Sequence, residues 1–256
     1  MLAVERRNLI LEKLQDEKRV VVGELSEQFD VSEETIRRDL DKLEKMGLAT
    51  KTYGGAVLVE NNNTEMPFSV RKKKNMRGKR MIAEIVAGMI ADGDHIILDP
   101  STTTVAIVNA IKDKNRLTIV TNSVEVLLEV AEVPGWNVIS TGGSIWENYL
   151  VLVGPKAVES ISTFNADKVI MSCKGIDMDK GITDTNEMFS QVKKSMLRSA
   201  GMRILAVDHT KFDKAAFSQI CEIRDIDTIV TDIRPSDAWM AYFNDKGIEC
   251  LYGEEN

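Results

Sequence analysis

Histidine and cysteine are scarce. His95, His209, Cys173, Cys221 and Cys250 are scattered along 256 residues. A zinc site needs ligands clustered at short spacing, and a histidine-based triad needs its members brought together. Neither is expected, and no metal or cofactor is read from the chain. Three dispersed cysteines make no disulfide framework, and a reducing cytosol is the simplest home. No apolar run is long enough to span a bilayer. Glu5, Arg6 and Arg7 stand where the apolar core of a secretory leader would be. A soluble, cytoplasmic protein with no membrane partner is expected. Positive charge is not in excess either, since the net charge is −7. That argues against indiscriminate nucleic-acid binding. It leaves room for one small DNA-binding domain, because charge acts locally within a Debye length of about 8 Å. No internal repeat or low-complexity segment is seen.

What is present is a well-punctuated stretch, VSEETIRRDLDKLEKMGLATKTYGGA, from Val31 to Ala56. Ser32 is an N-cap residue, and Glu33 and Glu34 follow where the helix dipole favours negative charge. Ile36, Leu40 and Leu43 recur at helical spacing and make one apolar stripe. Gly47 is placed to end the helix in the left-handed conformation. Arg38 and Lys45 point away from the stripe, and Arg37 flanks it. Such a helix presents cations to a major groove. Leu48 to Tyr53 alternates loosely, Gly54-Gly55 reads as a tight turn, and Ala56 to Val59 reads as the returning strand. This hairpin is a wing carrying Lys51 and Tyr53. An Arg-Arg pair alone reads as a solvated face; the cap, turn and wing around it change that reading. The DNA-facing set is Ser32, Glu33, Thr35, Arg37, Arg38, Lys42, Lys51, Tyr53, Gly54 and Gly55.

Residues 3 to 16 read as a first helix with Ile10, Leu11 and Leu14 inward. Val20 to Val22 is a β-branched run able to pair with the wing, and Val22, Leu25 and Phe29 mark a second helix. Helix, strand, helix, turn, helix, wing is the winged helix-turn-helix order. Asn61, Asn62, Asn63 and Thr64 are loop-like. Arg71, Lys72, Lys73, Lys74, Arg77, Lys79 and Arg80 then read as a basic linker, either touching phosphates or merely solvated. The organisation is a DNA-binding domain over 1–59, a linker over 60–78 and a larger α/β domain over 79–256, with a largely parallel sheet covered on both faces.

In that domain strands read at His95 to Leu98, Leu117 to Val120, Val138 to Ser140, Val169 to Ser172, Ile204 to Val207 and Thr228 to Val230. Helices read at Ile82 to Ile90, from Ser123, and near 156–162, 187–199 and 235–244. Ligands bind outside the carboxyl ends of strands in open α/β sheets. Polar loops fall there: Asp99 to Thr104, Thr121 to Ser123 and Ser140 to Gly143. Singly, each reads as capping and turn chemistry; three at one edge read as a ligand site, with a helix N-terminus suited to phosphate.

TIRRDL, LEKMGL and YGGA, at this spacing, resemble the N-terminal motif of the DeoR family of bacterial transcriptional regulators. Pro67-Phe68 with Arg71 resembles that family's linker. The region 80–232 is similar to its sugar-phosphate sensor domain, which is related to ribose-5-phosphate isomerase. The family's D-x-G-[ST]-T-T loop is matched by Asp99, Thr102, Thr103 and Thr104, with Ser101 standing where the family usually has glycine. Further family pieces are matched by Thr121-Asn122, Gly142-Gly143, Gly154-Pro155, Lys174 to Asp177, Gly181 to Thr183, Asn186-Glu187, Lys193, and Asp208 with Thr210 to Phe212. The effector set implied is Asp99, Ser101, Thr102, Thr103, Thr104, Thr121, Asn122, Gly142, Gly143, Lys174, Gly175, Asp177, Asn186, Glu187, Lys193, Asp208 and Lys211. Lys193 and Lys211 are expected to neutralise a phosphate, with Lys174 as a further cation. Carboxylates and amides are expected to meet sugar hydroxyls. The resemblance also implies a homo-oligomer, an operator in double-stranded DNA and repression relieved by a phosphorylated sugar.

An isomerase with an appended DNA-binding domain is the alternative. The related isomerases use a D-G-A-D-E-type segment; here Lys174-Gly175-Ile176-Asp177-Met178 lacks the first and last acids. A lysine does not replace a carboxylate base near neutral pH unless its pKa falls far. Binding without turnover is therefore expected, and no catalytic residue is assigned. A purely architectural DNA-binding protein would leave the polar clusters without purpose.

Overall fold

The computed structural model describes residues 1–59, 66–146 and 149–253, and every count below concerns these residues. The chain forms two compact units, the first ending at Lys74 and the second beginning at Asn75. Each is described by itself.

The first unit runs α1 (Ala3–Glu17), β1 (Arg19–Val21), α2 (Val22–Phe29), α3 (Glu33–Lys45), β2 (Ala49–Thr52), β3 (Gly55–Leu58) and α4 (Phe68–Lys73). Ile10, Leu11, Leu14, Leu25, Ile36 and Leu40 are fully buried in one core. The strands form an antiparallel sheet in the order β1-β3-β2. Ser32 caps α3 by accepting the Thr35 N–H at 3.2 Å. At the other end Gly47, with φ of 69°, turns the chain out of the helix.

Two expectations need correction here. The tight turn is Tyr53-Gly54, and Gly55 already belongs to β3. A Cβ on Gly55 would lie 2.1 Å from the Val20 carbonyl oxygen, so this glycine serves the close approach of β1. The stretch 60–78, read as linker, contains α4 and the start of α5 (Met76–Gly88). Phe68 and Val70 are buried, α4 packs on α1, and Lys73 pairs with Glu12 at 2.8 Å. Lys79, read as part of a basic run that either touches phosphates or is solvated, is buried in α5. Asn61, Asn62, Asn63 and Thr64 lie outside the described residues.

The second unit is α/β. After α5 come β4 (His95–Leu98), α6 (Thr102–Ala110), β5 (Thr118–Thr121), α7 (Val124–Val130), β6 (Asn137–Ser140), β7 (Ser144–Trp146), β8 (Val151–Val153), α8 (Pro155–Ser162) and β9 (Ala166–Met171). Then follow β10 (Gly175–Asp177), β11 (Gly181–Asp184), α9 (Glu187–Arg198), β12 (Ala200–Ala206), β13 (Ser218–Cys221), β14 (Thr228–Thr231), α10 (Asp237–Lys246) and β15 (Glu249–Tyr252). A seven-stranded sheet has the order β15-β14-β12-β9-β4-β5-β6, and every pairing in it is parallel. Its central strands are continuous apolar runs, as burial on both faces requires. The chain builds outward from β4 through β5 to β6. It then returns to the other side of β4 as β9, so the order reverses between β4 and β9. That reversal point is where an open α/β sheet leaves a crevice for a ligand.

Sequence periodicity does not reveal β7–β8, the antiparallel β10-β11-β13 sheet or β15. These strands are only three or four residues long, too short to show a period; β7–β8 and β10–β11 are local hairpins, while β13 and β15 are held by more distant partners. Asp99 to Thr104, read as one polar loop, is in part helical: Thr102 to Thr104 form the first turn of α6.

Candidate functional site

On the first unit, the capped end of α3 and the wing carry the cations. Arg37 and Arg38 pair with Glu33 and Glu34 one turn earlier, and both remain at least half exposed. Such exposed pairs are weak, about 0–1 kcal/mol, so both guanidiniums can change partners at little cost. Lys42 and Lys45 are exposed on the same helix. Lys51 pairs with Asp41, and its N–H donates to Glu44. Tyr53 is fully exposed at the wing tip beside Gly54. Val22, Arg37, Leu40 and the wing residues Lys51 to Gly55 line a hollow between helix and hairpin. Ser32 and Thr35 share a hydroxyl hydrogen bond of 2.9 Å, so both hydroxyls take part in the cap. Sequence reasoning missed Asp39. It is buried and accepts from Arg6 Nε at 2.6 Å and Arg7 at 3.4 Å, fastening α3 to α1. Its position on the helical stripe was the available signal.

On the second unit, the ends of β12, β9, β4, β5 and β6 carry the polar segments. Asp99, fully buried, anchors the crevice. Its Oδ1 accepts from Ser101 N–H at 3.1 Å and the Thr104 hydroxyl at 2.6 Å; its Oδ2 accepts from Ser172 N–H at 2.9 Å, on the far side of the reversal point. Ser101, where the family usually has glycine, caps α6 with φ of −85°, so no left-handed backbone is required of it. Thr102 and Thr103 then begin the helix with backbone N–H groups that have no acceptor among the described residues.

Lys193 stands differently from the expectation of a phosphate-facing cation. It is buried, donates to Ser172 O at 2.8 Å and Asp184 Oδ2 at 2.7 Å, and lies 3.2 Å from Asp99 Oδ2. Burial opposes its charge, but the Asp184 and Asp99 carboxylates outweigh that and raise its pKa above the ordinary lysine value. Two hydrogen bonds and an ion pair thus engage the ammonium within the protein. Lys211 is only half-buried, and its ammonium has no partner among the described residues. It lies close enough to act on the Cys173 thiol, which also feels Lys193, Asp184 and Asp99. Burial pushes that thiol up to about 12, so Cys173 is a neutral core residue at physiological pH.

Asn122 is one strand over from Asp99. Its amide donates to Leu152 O at 2.9 Å, and its backbone carbonyl accepts from Leu152 N–H at 2.8 Å. Its Oδ1 is buried with no donor among the described residues. A buried acceptor left unpaired costs about 1–3 kcal/mol, so this atom keeps unused accepting capacity. Thr121 is committed, donating to Leu98 O and accepting from Ser123 N–H. Gly142 and Gly143 both have positive φ, and a Cβ on Gly143 would lie 2.6 Å from Val153 O. Gly175 passes close to the Lys214 backbone. Asp208 caps a short 3-10 turn, accepting the Thr210 N–H at 3.0 Å. Asn186 caps α9 through Met188 N–H at 2.8 Å, and Glu187 is exposed beside it. Asp177 serves the β10–β11 turn, accepting from Asp179 and Lys180 N–H groups. Lys174 is half-buried just after the end of β9, and its N–H donates to Thr183 O at 3.0 Å.

Comparison with known proteins agrees with this architecture. A DeoR-like helix-turn-helix domain model matches residues 6–62, and a DeoR C terminal sensor domain model matches residues 74–233. The HTH-type transcriptional regulator YulB of Bacillus subtilis is 37% identical over 97% of this chain and 96% of its own length. The transcriptional repressor AccR of Agrobacterium fabrum is 35% identical over 89% of each chain. The glycerol-3-phosphate regulon repressor of Escherichia coli is 30% identical over 97% of this chain and 98% of its own. These relatives are regulators and repressors rather than enzymes. Among solved structures, a ribose 5-phosphate isomerase from Methanocaldococcus jannaschii aligns at 12% identity and a TM-score of 0.39. It covers 52% of this chain and 53% of that one, a likeness too slight to carry an argument. With a DNA-binding module, a sensor module and full-length relatives all of one kind, the chain belongs to the DeoR family of transcriptional regulators.

Proposed function

We propose that this regulator represses carbohydrate-metabolism genes and leaves its operator when a phosphorylated sugar binds the carboxyl edge of the seven-stranded sheet. The observation that carries this reading is the set of unsatisfied polar groups there. The Thr102 and Thr103 N–H groups and the Lys211 ammonium suit a phosphate. The buried Asn122 Oδ1 suits a hydroxyl donor. Lys193 acts from within, holding Asp99 and Asp184 in place. DNA contact is assigned to the exposed face of α3 and to the wing. Two such units in a homo-oligomer, acting in the cytoplasm, would read repeated half-sites.

Thermal-shift screening of the full chain against pentose, hexose and triose phosphates tests this. A ligand that binds the native state raises Tm by mass action. One sugar phosphate is expected to raise Tm and to lower operator affinity in the same concentration range, while the unphosphorylated sugar does neither. A panel in which nothing moves Tm, or in which a binder leaves operator affinity unchanged, overturns the effector reading and leaves DNA binding standing.

A further inference from the structure

The effector reading leaves open how a ligand at the sheet edge is felt elsewhere in the chain. One side chain outside the set named above touches both the ligand loop and the first residue of the sensor unit. Asp232 follows β14 and is 2% exposed. Its Oδ1 accepts the His209 N–H at 2.7 Å, and its Oδ2 lies 2.8 Å from His209 Nδ1. His209 sits between Asp208 and Lys211 on the loop that carries the Lys211 ammonium. On its other side, Asp232 Oδ2 accepts the Asn75 amide at 3.0 Å.

Asn75 is a junction residue. It is the first residue of the second unit and stands in the left-handed conformation at φ 47°. It is also the N-cap of α5, its Oδ1 accepting the Gly78 N–H at 3.3 Å. Asparagine tolerates that conformation, but here the carboxylate also fixes its side chain. The fit is close enough to require a glycine inside the helix: a Cβ on Gly78 would lie 2.3 Å from Asp232 Oδ2. Lys74, one peptide bond away, closes the DNA-binding unit.

We propose that Asp232 is a positioning residue that couples the effector loop at His209 to the Asn75 cap, and so sets the backbone conformation where the sensor unit begins. This rests on the effector reading above. Ligand engaging Lys211 draws on the loop, the His209–Asp232 bonds carry the shift, and the Asn75 cap tightens or lets go. The last link is covalent, the Lys74–Asn75 peptide bond.

The test uses the full chain, a labelled operator duplex selected from random DNA by the parent, and glucose 6-phosphate, fructose 6-phosphate, ribose 5-phosphate and glycerol 3-phosphate as probes. Asn75→Ala and His209→Ala break the relay at different links. Ligand binding is read by calorimetry and operator release by fluorescence anisotropy. Both variants are expected to bind the active probe and the operator within about twofold of the parent, yet to need at least about tenfold more probe for release. The double variant is expected to be no worse than either single one, because links in series are cut only once. Loss of the Asn75 cap lowers Tm under either reading; a merely structural role would also lower operator affinity and probe binding, additively in the double variant, with no separate loss of release. Parent-like release curves in both single variants, or additive loss in the double, remove the relay and leave the effector site intact. A parent that binds none of the probes removes the effector site and the relay with it.

Discussion

The two lysines singled out for phosphate have different surroundings, and the difference predicts opposite phenotypes. Lys193→Ala leaves Asp99 and Asp184 buried without their cation, a loss of about 3–5 kcal/mol. The variant should melt well below the parent, whereas Lys194→Ala should match it in the same scan. Lys211→Ala removes a partly exposed group with no partner among the described residues. It should fold and bind operator as the parent does, but a charge-assisted contact of about 1.5–3 kcal/mol would be missing. About tenfold more effector would then be needed for release. An effector titration of the operator complex decides this: parental curves for Lys211→Ala would exclude it from the phosphate site. Asp232 makes a separate, pH-dependent prediction. Burial pushes its carboxyl up, but hydrogen bonds from Asn75 and His209 outweigh this and hold it below the ordinary range. A carboxyl depressed in the native state adds stability that is complete above the unfolded value of about 3.9 and is lost as pH falls through the native value. The Tm gap between the parent and Asp232→Asn should be open at neutral pH and close below pH ~4. A gap that stays constant to pH ~3 would show that this carboxylate adds no linked stability.

The helix α3 illustrates how much an element takes from its own sequence and how much from its surroundings. Cap, acidic first turn, apolar stripe and terminal glycine were all legible, because each is a local rule of helix chemistry. The wing was legible as a hairpin, but its turn falls one residue earlier than the Gly-Gly pair suggests. Gly55 is needed for β1, a contact 35 residues away in the chain. Asp39 is the parallel case on the helix itself, a charged residue buried because Arg6 and Arg7 reach it from α1. For function, the exposed guanidinium of Arg38 is the sharpest probe of this element. Arg38→Ala should weaken operator binding by about 1–3 kcal/mol and relax base preference if it reads a base edge. If it touches only phosphate, it should weaken all duplexes alike and reduce the salt slope by about one. Unchanged operator affinity in Arg37→Ala, Arg38→Ala and the double variant would argue against α3 as the reading helix.

At the scale of the whole molecule, the proposed release of the operator by an effector would make the two sites coupled, and coupling between binding free energies is reciprocal. The effector's Kd measured on the operator-bound protein should exceed its Kd on the free protein by the factor by which effector weakens operator binding. We expect that factor to be at least about ten. Equal effector affinity for free and bound protein would mean that release does not proceed through this linkage. The net charge of −7 adds a second constraint. The attraction to DNA must come from the local cations of the first unit, so operator binding should weaken steeply with salt.

The sequence by itself determined the order and type of most elements, the winged helix-turn-helix, the α/β character of the larger domain and the edge of the sheet where polar loops gather. These are matters of period, capping and strand-end loops, which act over a few residues. Only the tertiary structure decided which of those polar residues are spent on the fold. Asp99, Asp184 and Lys193 come from three separate segments and satisfy one another. Thr102, Thr103, Asn122 and Lys211 keep groups that nothing in the described chain satisfies. A buried charge is stabilised only by partners within a few ångströms, and strand order alone brings such distant segments that close. The strand reversal between β4 and β9, the place of α4 in the first unit and the reach of Asp232 to Asn75 have the same origin. Each joins segments whose meeting no local pattern encodes.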